Sequence, residues 1–514
     1  MRRAVLLLSL ASLAACSLAP KYARTQLPVP PSWPVGDAYL RASEATLPSV
    51  TYRDIFRDPR LQAIIDQALA NNRDLRVAAA NIAAARAQYR IQRSELFPRV
   101  DAFASYSYSD GGSSTSFIPG DPGTDPGTDP GGGTDTGTGT GGGTGTTFSS
   151  SNSAFSLNLG ITDFEIDLFG RVRSLSSAAL NRYFAQEAAA RATRLALVGD
   201  IAAAWLTYAA DRSLLKVARD TAESARRSVR ITDLRLRGGV APRTDLRQAE
   251  QVLATAEADL ASRTTALAQD VNALQLLVGA PVDPALLPGS IEEAGQTLAE
   301  LPAGLDSSVL LRRPDVVQAE YELRATNAEI GAARAQLFPR LSLTGLVGFA
   351  SDALSRLFTG GAFNYSVGPS VSYPIFRAGA GRAGVASSEA TRDAALATYE
   401  KTIQTAFRET SDALARRGTI SAQLAANQRF AFAAADTFRL ADARYRGGID
   451  TFLASLDAQR QLYAAQQILV QTQLIRATNL VTLYRTLGGD ASLDVPATGQ
   501  NPAPVPVTTT SPRP

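Results

Sequence analysis

The chain has 514 residues, enough for more than one domain, and its 51 basic and 48 acidic side chains leave a net charge of only +3. So small a balance argues against a nucleic-acid partner. There is no histidine, so the commonest metal ligand and general base is missing. The single cysteine excludes an internal disulfide.

Arg2 and Arg3 precede an apolar stretch, Ala4–Leu13, which is long enough for a secretory signal and too short to span a bilayer. It runs into Leu13-Ala14-Ala15-Cys16. Small residues ahead of a cysteine resemble the lipobox of bacterial lipoproteins, which implies removal of residues 1–15 and acylation of Cys16. By the same resemblance, Ser17 rather than aspartate directs the protein to the outer membrane. The alternative is an ordinary signal with a stray cysteine. An acylated sulfur is inert and anchored by buried CH₂ groups, whereas a lone thiol in an oxidising space is a liability. Residues 16–58 read as an extended, lipid-anchored segment.

Residues 59–280 form a first repeat. Strands are predicted near 98–109 and 153–168, with Phe155, Leu157, Leu159 and Ile161 on one face. The phase slips at Thr162-Asp163, as a bulge would make it. Between the strands lies 110–150, rich in Gly, Thr, Asp, Pro and Ser. It is read as a flexible loop, although its Asp-Pro-Gly repeats also suggest calcium-binding repeats. From Arg171 to Arg235 there is no proline, and Gly199 is the only glycine. The stretch ends in Arg-Gly-Gly, a hairpin tip at 237–242. A linker, 281–310, leads to the second repeat, 311–490. Its strands are near 339–350 and 362–376, and Phe363, Tyr365, Val367, Val371, Tyr373 and Ile375 keep phase. A second proline-free stretch, Arg382 to Tyr445, reaches another Arg-Gly-Gly at 446–450. A Pro/Thr tail, 491–514, closes the chain and is read as disordered.

The halves answer each other: Phe97-Pro98-Arg99 with Phe338-Pro339-Arg340, Phe169 with Phe376, Arg237 with Arg446, at offsets of 241, 207 and 209. The larger first offset reflects the inserted loop. One helix-strand-strand-helix-helix unit is duplicated. Four strands cannot close a membrane barrel, which needs about eight or more, so three chains must pool twelve or the strands form a soluble sheet. A proline-free helix of some sixty residues spans roughly 100 Å at ~1.5 Å per residue. Leu195, Val198, Ala202, Trp205 and Ala209 step as a coiled-coil seam. The Ala-rich, otherwise polar helical surface fits the wall of a hollow tube or a long solvated coiled coil.

Together these features resemble the TolC/OprM family of outer membrane efflux proteins, in its lipoprotein, NodT-like branch. The resemblance rests on the lipobox followed by "CSLAPKYARTQLPVPPSW", on "LRRPDV" (311–316), "ARAQLFPRLSLTG" (333–345), "YPIFRAG" (373–379) and "RYRGGIDTFLASLDAQR" (444–460), and it covers residues 16–490. It implies a mostly α protein with a membrane β-barrel: a homotrimer whose twelve strands form one barrel, continued by a twelve-helix periplasmic α-barrel. It implies a passive export duct for drugs or other small molecules, with no cofactor. The partners it implies are outer membrane lipid through acylated Cys16, a periplasmic adaptor and an inner-membrane pump of the resistance-nodulation-division class. The tips Arg237, Gly238, Gly239, Arg446, Gly447 and Gly448 would meet the adaptor. Asp457 matches the family's gate aspartate and Tyr445 a tethering tyrosine; as residues, a solvated helix charge and a packed ring are the alternatives. The chain departs from the pattern at Ala454, where relatives have a second aspartate, and at Asp450, where they have the tethering arginine. Asp450 is placed to cap the following helix. A type I secretion duct shares the fold, and a non-channel coiled-coil lipoprotein shares the helices. No nucleophile or metal constellation favours an enzyme.

Overall fold

A computed structural model describes residues 18–24, 28–34, 36, 38–39, 51–111, 150–299 and 307–489. Cys16, the signal segment, residues 112–149 of the inserted loop and the tail 491–514 lie outside the described residues. The chain divides into two compact units.

The first unit takes residues 93–173 and 335–379 and holds one sheet. Its strands are β1 (Val100–Gly111), β2 (Ser150–Glu165), β3 (Arg340–Ser351) and β4 (Phe363–Ser372), antiparallel in that order. Register decides the faces. Tyr106 lies opposite Phe155, Leu157 opposite Phe349, Val347 opposite Tyr365, and Leu341 opposite Val371, which collects the apolar side chains on one face. On the other face serines meet: Ser105 with Ser156 at 2.7 Å and Ser342 with Ser370 at 2.8 Å. The expected slip is a bulge between Ile161 and Phe164, with Asp163 at φ 52°. The alternation read through Ile375 outlasts the strand, which stops at Ser372, two residues before Pro374. A proline nitrogen has no hydrogen to donate to a ladder. Among the described residues nothing covers the apolar face: Tyr365 is 76 % exposed and Val367 71 %. A water-soluble sheet would bury that face.

The second unit is helical: α1 (Tyr52–Ile55), α2 (Pro59–Asn71), α3 (Arg73–Ser94), α4 (Arg171–Arg237), α5 (Arg243–Val278), α6 (Ile291–Gln296), α7 (Pro314–Ala335), α8 (Ala380–Arg446) and α9 (Phe452–Thr486). α4 and α8 are each 67 residues long, far beyond the globular mean of about 11–12. The predicted seam of α4, Leu195, Val198, Ala202, Trp205 and Ala209, is buried in the main core with Phe56, Leu61, Ile64 and Tyr484. The Trp205 indole donates to the Leu286 carbonyl at 3.1 Å, which satisfies its one polar atom. α8 and α9 meet along Ala431, Ala434 and Ala465, where small side chains allow close approach. Among the described residues no helix is long and apolar enough to cross a membrane.

The motif "LRRPDV" works as a clamp. Arg313, buried at the start of α7, donates to Asp315 at 2.7 Å, to Glu409 of α8 at 3.0 Å and to the Thr486 carbonyl ending α9 at 3.4 Å.

The N-terminal segment is strapped onto α7 and α8. Trp33 stacks on Phe407 at 5.0 Å, while buried Glu320 receives Arg24 at 2.5 Å, Arg324 at 2.6 Å and the Tyr22 hydroxyl at 3.3 Å. Burial pushes the Glu320 carboxyl up, but the hydrogen bonds from Arg24 and Arg324 outweigh it and hold it below the ordinary glutamate range. A carboxyl depressed in the folded state contributes stability above its unfolded pKa of about 4.3 and loses it as pH falls through the folded value. Pepsin cleavage within 18–34 is therefore expected to rise steeply below about pH 4. Glu320→Gln should be cleaved readily throughout the acid range in which pepsin is active, including above about pH 4. Identical acid profiles for the two proteins would refute this role.

Candidate functional site

The two Arg-Gly-Gly turns stop their helices by the same bonds. At the end of α4 the Gly239 N–H donates to the Leu236 carbonyl at 3.0 Å and the Val240 N–H to the Arg235 carbonyl at 2.9 Å. At the end of α8 Gly448 donates to Tyr445 at 3.0 Å and Ile449 to Arg444 at 2.9 Å. This is the Schellman arrangement, and its left-handed residue is glycine both times, at φ 73° for Gly239 and 75° for Gly448. Each terminus carries a matching ion pair one turn back, Arg237 with Asp233 at 2.9 Å and Arg446 with Asp442 at 2.8 Å. Cations there also suit the negative end of the helix dipole. Val240 and Ile449, the apolar residues past each glycine, are 76 % and 68 % exposed. The tip residues Arg237, Gly238, Gly239, Arg446, Gly447 and Gly448 are likewise exposed.

Tyr445 joins the two tips. It is 4 % exposed and packs with Ala249 of α5 and with Phe452 and Leu456 of α9. The Arg235 guanidinium, from α4, lies 4.4 Å from the ring centre and donates onward to the Arg446 carbonyl at 3.0 Å. Thr232 spends its proton on the Ser228 carbonyl at 2.8 Å, so the Tyr445 hydroxyl donates to the Thr232 oxygen at 3.3 Å. Four helices are thus tied at one ring.

Asp450 does not cap α9. That position belongs to Thr451, and the Asp450 carboxylate is instead gripped by Arg444, whose Nε and Nη2 donate at 2.6 and 3.1 Å. The guanidinium fork matches both carboxylate oxygens, a stronger partner than a backbone N–H. These hydrogen bonds hold the Asp450 carboxyl below the usual aspartate range. The turn therefore carries its arginine before the glycines rather than after them.

Asp457 stands on another face of α9. Phe452, Ser455, Leu456 and Ala458 are buried, whereas Leu453, Ala454, Asp457 and Arg460 are exposed. Its carboxylate accepts from Gln461 one turn on, at 2.8 Å.

Arg235, Thr232 and Arg444 escaped the sequence reading. One signal was present: Arg235 and Arg444 are separated by the same 209 residues as the two tips. Elsewhere, Asp211 of α4 and Asp270 of α5 sit together, with Arg263 3.4 Å from Asp211. Burial and the neighbouring Asp211 charge push the Asp270 carboxyl up to about 7. Among the described residues no group of His, Cys, Asp and Glu can hold a metal ion.

The family described as "Outer membrane efflux protein" matches residues 64–280 and 305–489. A Pseudomonas putida protein named "Probable efflux pump outer membrane protein TtgC" is 42 % identical over 479 residues, 93 % of each chain. "Outer membrane protein OprJ" of Pseudomonas aeruginosa is 37 % identical over 93 % of this chain and 94 % of that protein. Among solved structures, the open state of the MtrE outer membrane channel of Neisseria gonorrhoeae superposes with a TM-score of 0.76. It is 32 % identical and covers 93 % of this chain and 99 % of that one.

Proposed function

The chain belongs to the outer membrane efflux protein family, and we propose from that membership that it is the outer membrane exit duct of a tripartite efflux pump. It catalyses no reaction. It passively carries drugs or other small molecules outward, and an inner-membrane pump of the resistance-nodulation-division class supplies the energy. A periplasmic adaptor completes the assembly and meets the two exposed glycine tips. Acylated Cys16 adds a lipid anchor.

One observation carries the membrane reading. The sheet has an uncovered apolar face, a polar face lined with serines, and unpaired edges at β1 and β4. Each unpaired amide costs several kcal/mol in lipid, so an open sheet of four strands cannot remain there. Three copies supply twelve strands and no edge, with the serine face inward. The helical part of each copy supplies four staves of the twelve-stave α-barrel: the long α4 and α8, and two further staves made up of the shorter α3, α5, α7 and α9.

In this trimer the exposed Asp457 faces the three-fold axis and forms a carboxylate ring that binds cations at the closed end. Planar-bilayer recording of the purified protein tests both points. The native protein should give a small, mostly closed, cation-preferring conductance. Asp457→Ala should conduct more and lose cation preference roughly tenfold, the effect of ~1.4 kcal/mol. Silence from both proteins would favour a periplasmic scaffold, and unchanged selectivity would remove Asp457 from the bore.

A further inference from the structure

The stretch of α9 that carries Asp457 is held at both ends and left unsatisfied in the middle. Phe452, Leu456, Gln459 and Tyr463 step by four, three and four along α9, so they share one face. Near the tips Phe452 and Leu456 pack with Ala249 of α5. Eleven residues beyond Phe452, the Tyr463 hydroxyl donates to the Asp259 carboxylate of α5 at 3.0 Å. Asp259 in turn lies ten residues beyond Ala249. The two helices thus climb side by side from their tips by nearly equal lengths, about 15–16 Å at a rise of ~1.5 Å per residue. The second hairpin is therefore tied to the first once more, well above Tyr445.

Burial and the Asp259 hydrogen bond push the Tyr463 hydroxyl above the ordinary tyrosine range, which keeps its proton available to donate. Gln467, one turn on, bonds the same hydroxyl, and the charge of Arg263 on α5 lies close by. The internal repeat makes no second copy of the tie: Tyr463 answers to Ala254 and Asp259 to Ile468.

Between the two ties sits Gln459. It is 7 % exposed, and its Nε2 has no hydrogen-bond partner among the described residues. A buried donor left unpaired opposes the packing that buries it, because separation of the helices returns it to water.

We propose that Tyr463 is a positioning residue of the gate: through Asp259 it anchors the upper end of the segment 452–463, which bears Asp457, while unpaired Gln459 keeps that segment ready to leave α5. This rests on the duct reading and names what sets its closed state. The moving part of α9 is then the roughly three turns below Tyr463, and the helix above stays in place. The reach of Asp457 is fixed from below by Tyr445 and from above by Tyr463.

Long single-channel recordings of the full chain, purified in detergent, test this. Tyr463→Phe and Asp259→Ala should each raise open probability about tenfold, as loss of a hydrogen bond to a charged acceptor would. The double variant should be no more open than either single one, since both changes remove the same bond. Gln459→Met keeps the length of the side chain and leaves nothing to pair, so it should lower open probability roughly fivefold. Native gating in Tyr463→Phe, or effects of the two single changes that multiply in the double, would overturn the anchor. A Tyr463→Phe trimer that separates at a lower temperature yet gates as the native protein does would make the ring a packing residue, and overturn it too. Gln459→Met at or above native open probability would overturn the poised segment. A native protein that never conducts removes the duct reading, and this inference with it, before any variant is compared.

Discussion

Val367→Arg is expected to remove the protein from the outer membrane, while Ser366→Arg, one residue earlier, leaves it there. Val367 sits mid-strand in β4 on the uncovered apolar face, opposite Gly345; Ser366 lies on the serine face opposite Leu346. In water an arginine at a position already 71 % exposed changes stability by no more than about 0.5 kcal/mol. On the lipid face near mid-bilayer it costs about 2–4 kcal/mol, three times over in a trimer. The measurement is the amount of trimer in outer membrane fractions, compared between the two variants. Equal amounts would mean that the apolar face does not meet lipid.

The second large effect belongs to Tyr445→Ala. Truncating a buried ring of this size typically costs about 3–5 kcal/mol, most of it from the cavity left behind. Here the Arg235 ring contact goes too, worth about 0.5–1 kcal/mol at a partly exposed site. Because the ring ties the hairpins rather than the distant core, the loss should appear as loosened tips. A 3 kcal/mol change in a closed–open equilibrium is roughly a hundredfold change in population, which single-channel open probability would report. Tyr445→Phe keeps the packing and loses only a 3.3 Å hydrogen bond, so it should stay close to native. A folded Tyr445→Ala protein with native open probability would reduce Tyr445 to a packed ring.

Much of this architecture was legible because its signals are periodic. The period-two pattern of Phe363 to Val371 lies within β4, and the slip at Thr162-Asp163 became a bulge because an extra residue must shift the phase. The long helices were legible from missing proline, and their ends from Arg-Gly-Gly. The tip network was not, since its partners are far apart in sequence: Thr232 and Tyr445 are 213 residues apart. Local rules also misled at Asp450, where a side chain next to a helix start suggested a cap and a nearby guanidinium competed successfully for both oxygens. The strap across α7 was invisible for a similar reason. Glu320 looked like any surface acid until Arg24 and Tyr22 were brought to it from nearly three hundred residues away.

The ring shared at the tips has a mechanical consequence. With Arg235 reaching from α4 to both the Tyr445 face and the Arg446 carbonyl, neither hairpin of a subunit can swing outward without dragging its companion. In the proposed trimer, the six hairpins would then move as three stiff leaves, one to each copy, and loss of the Arg235–Tyr445 rivet would free the two hairpins of a leaf from each other.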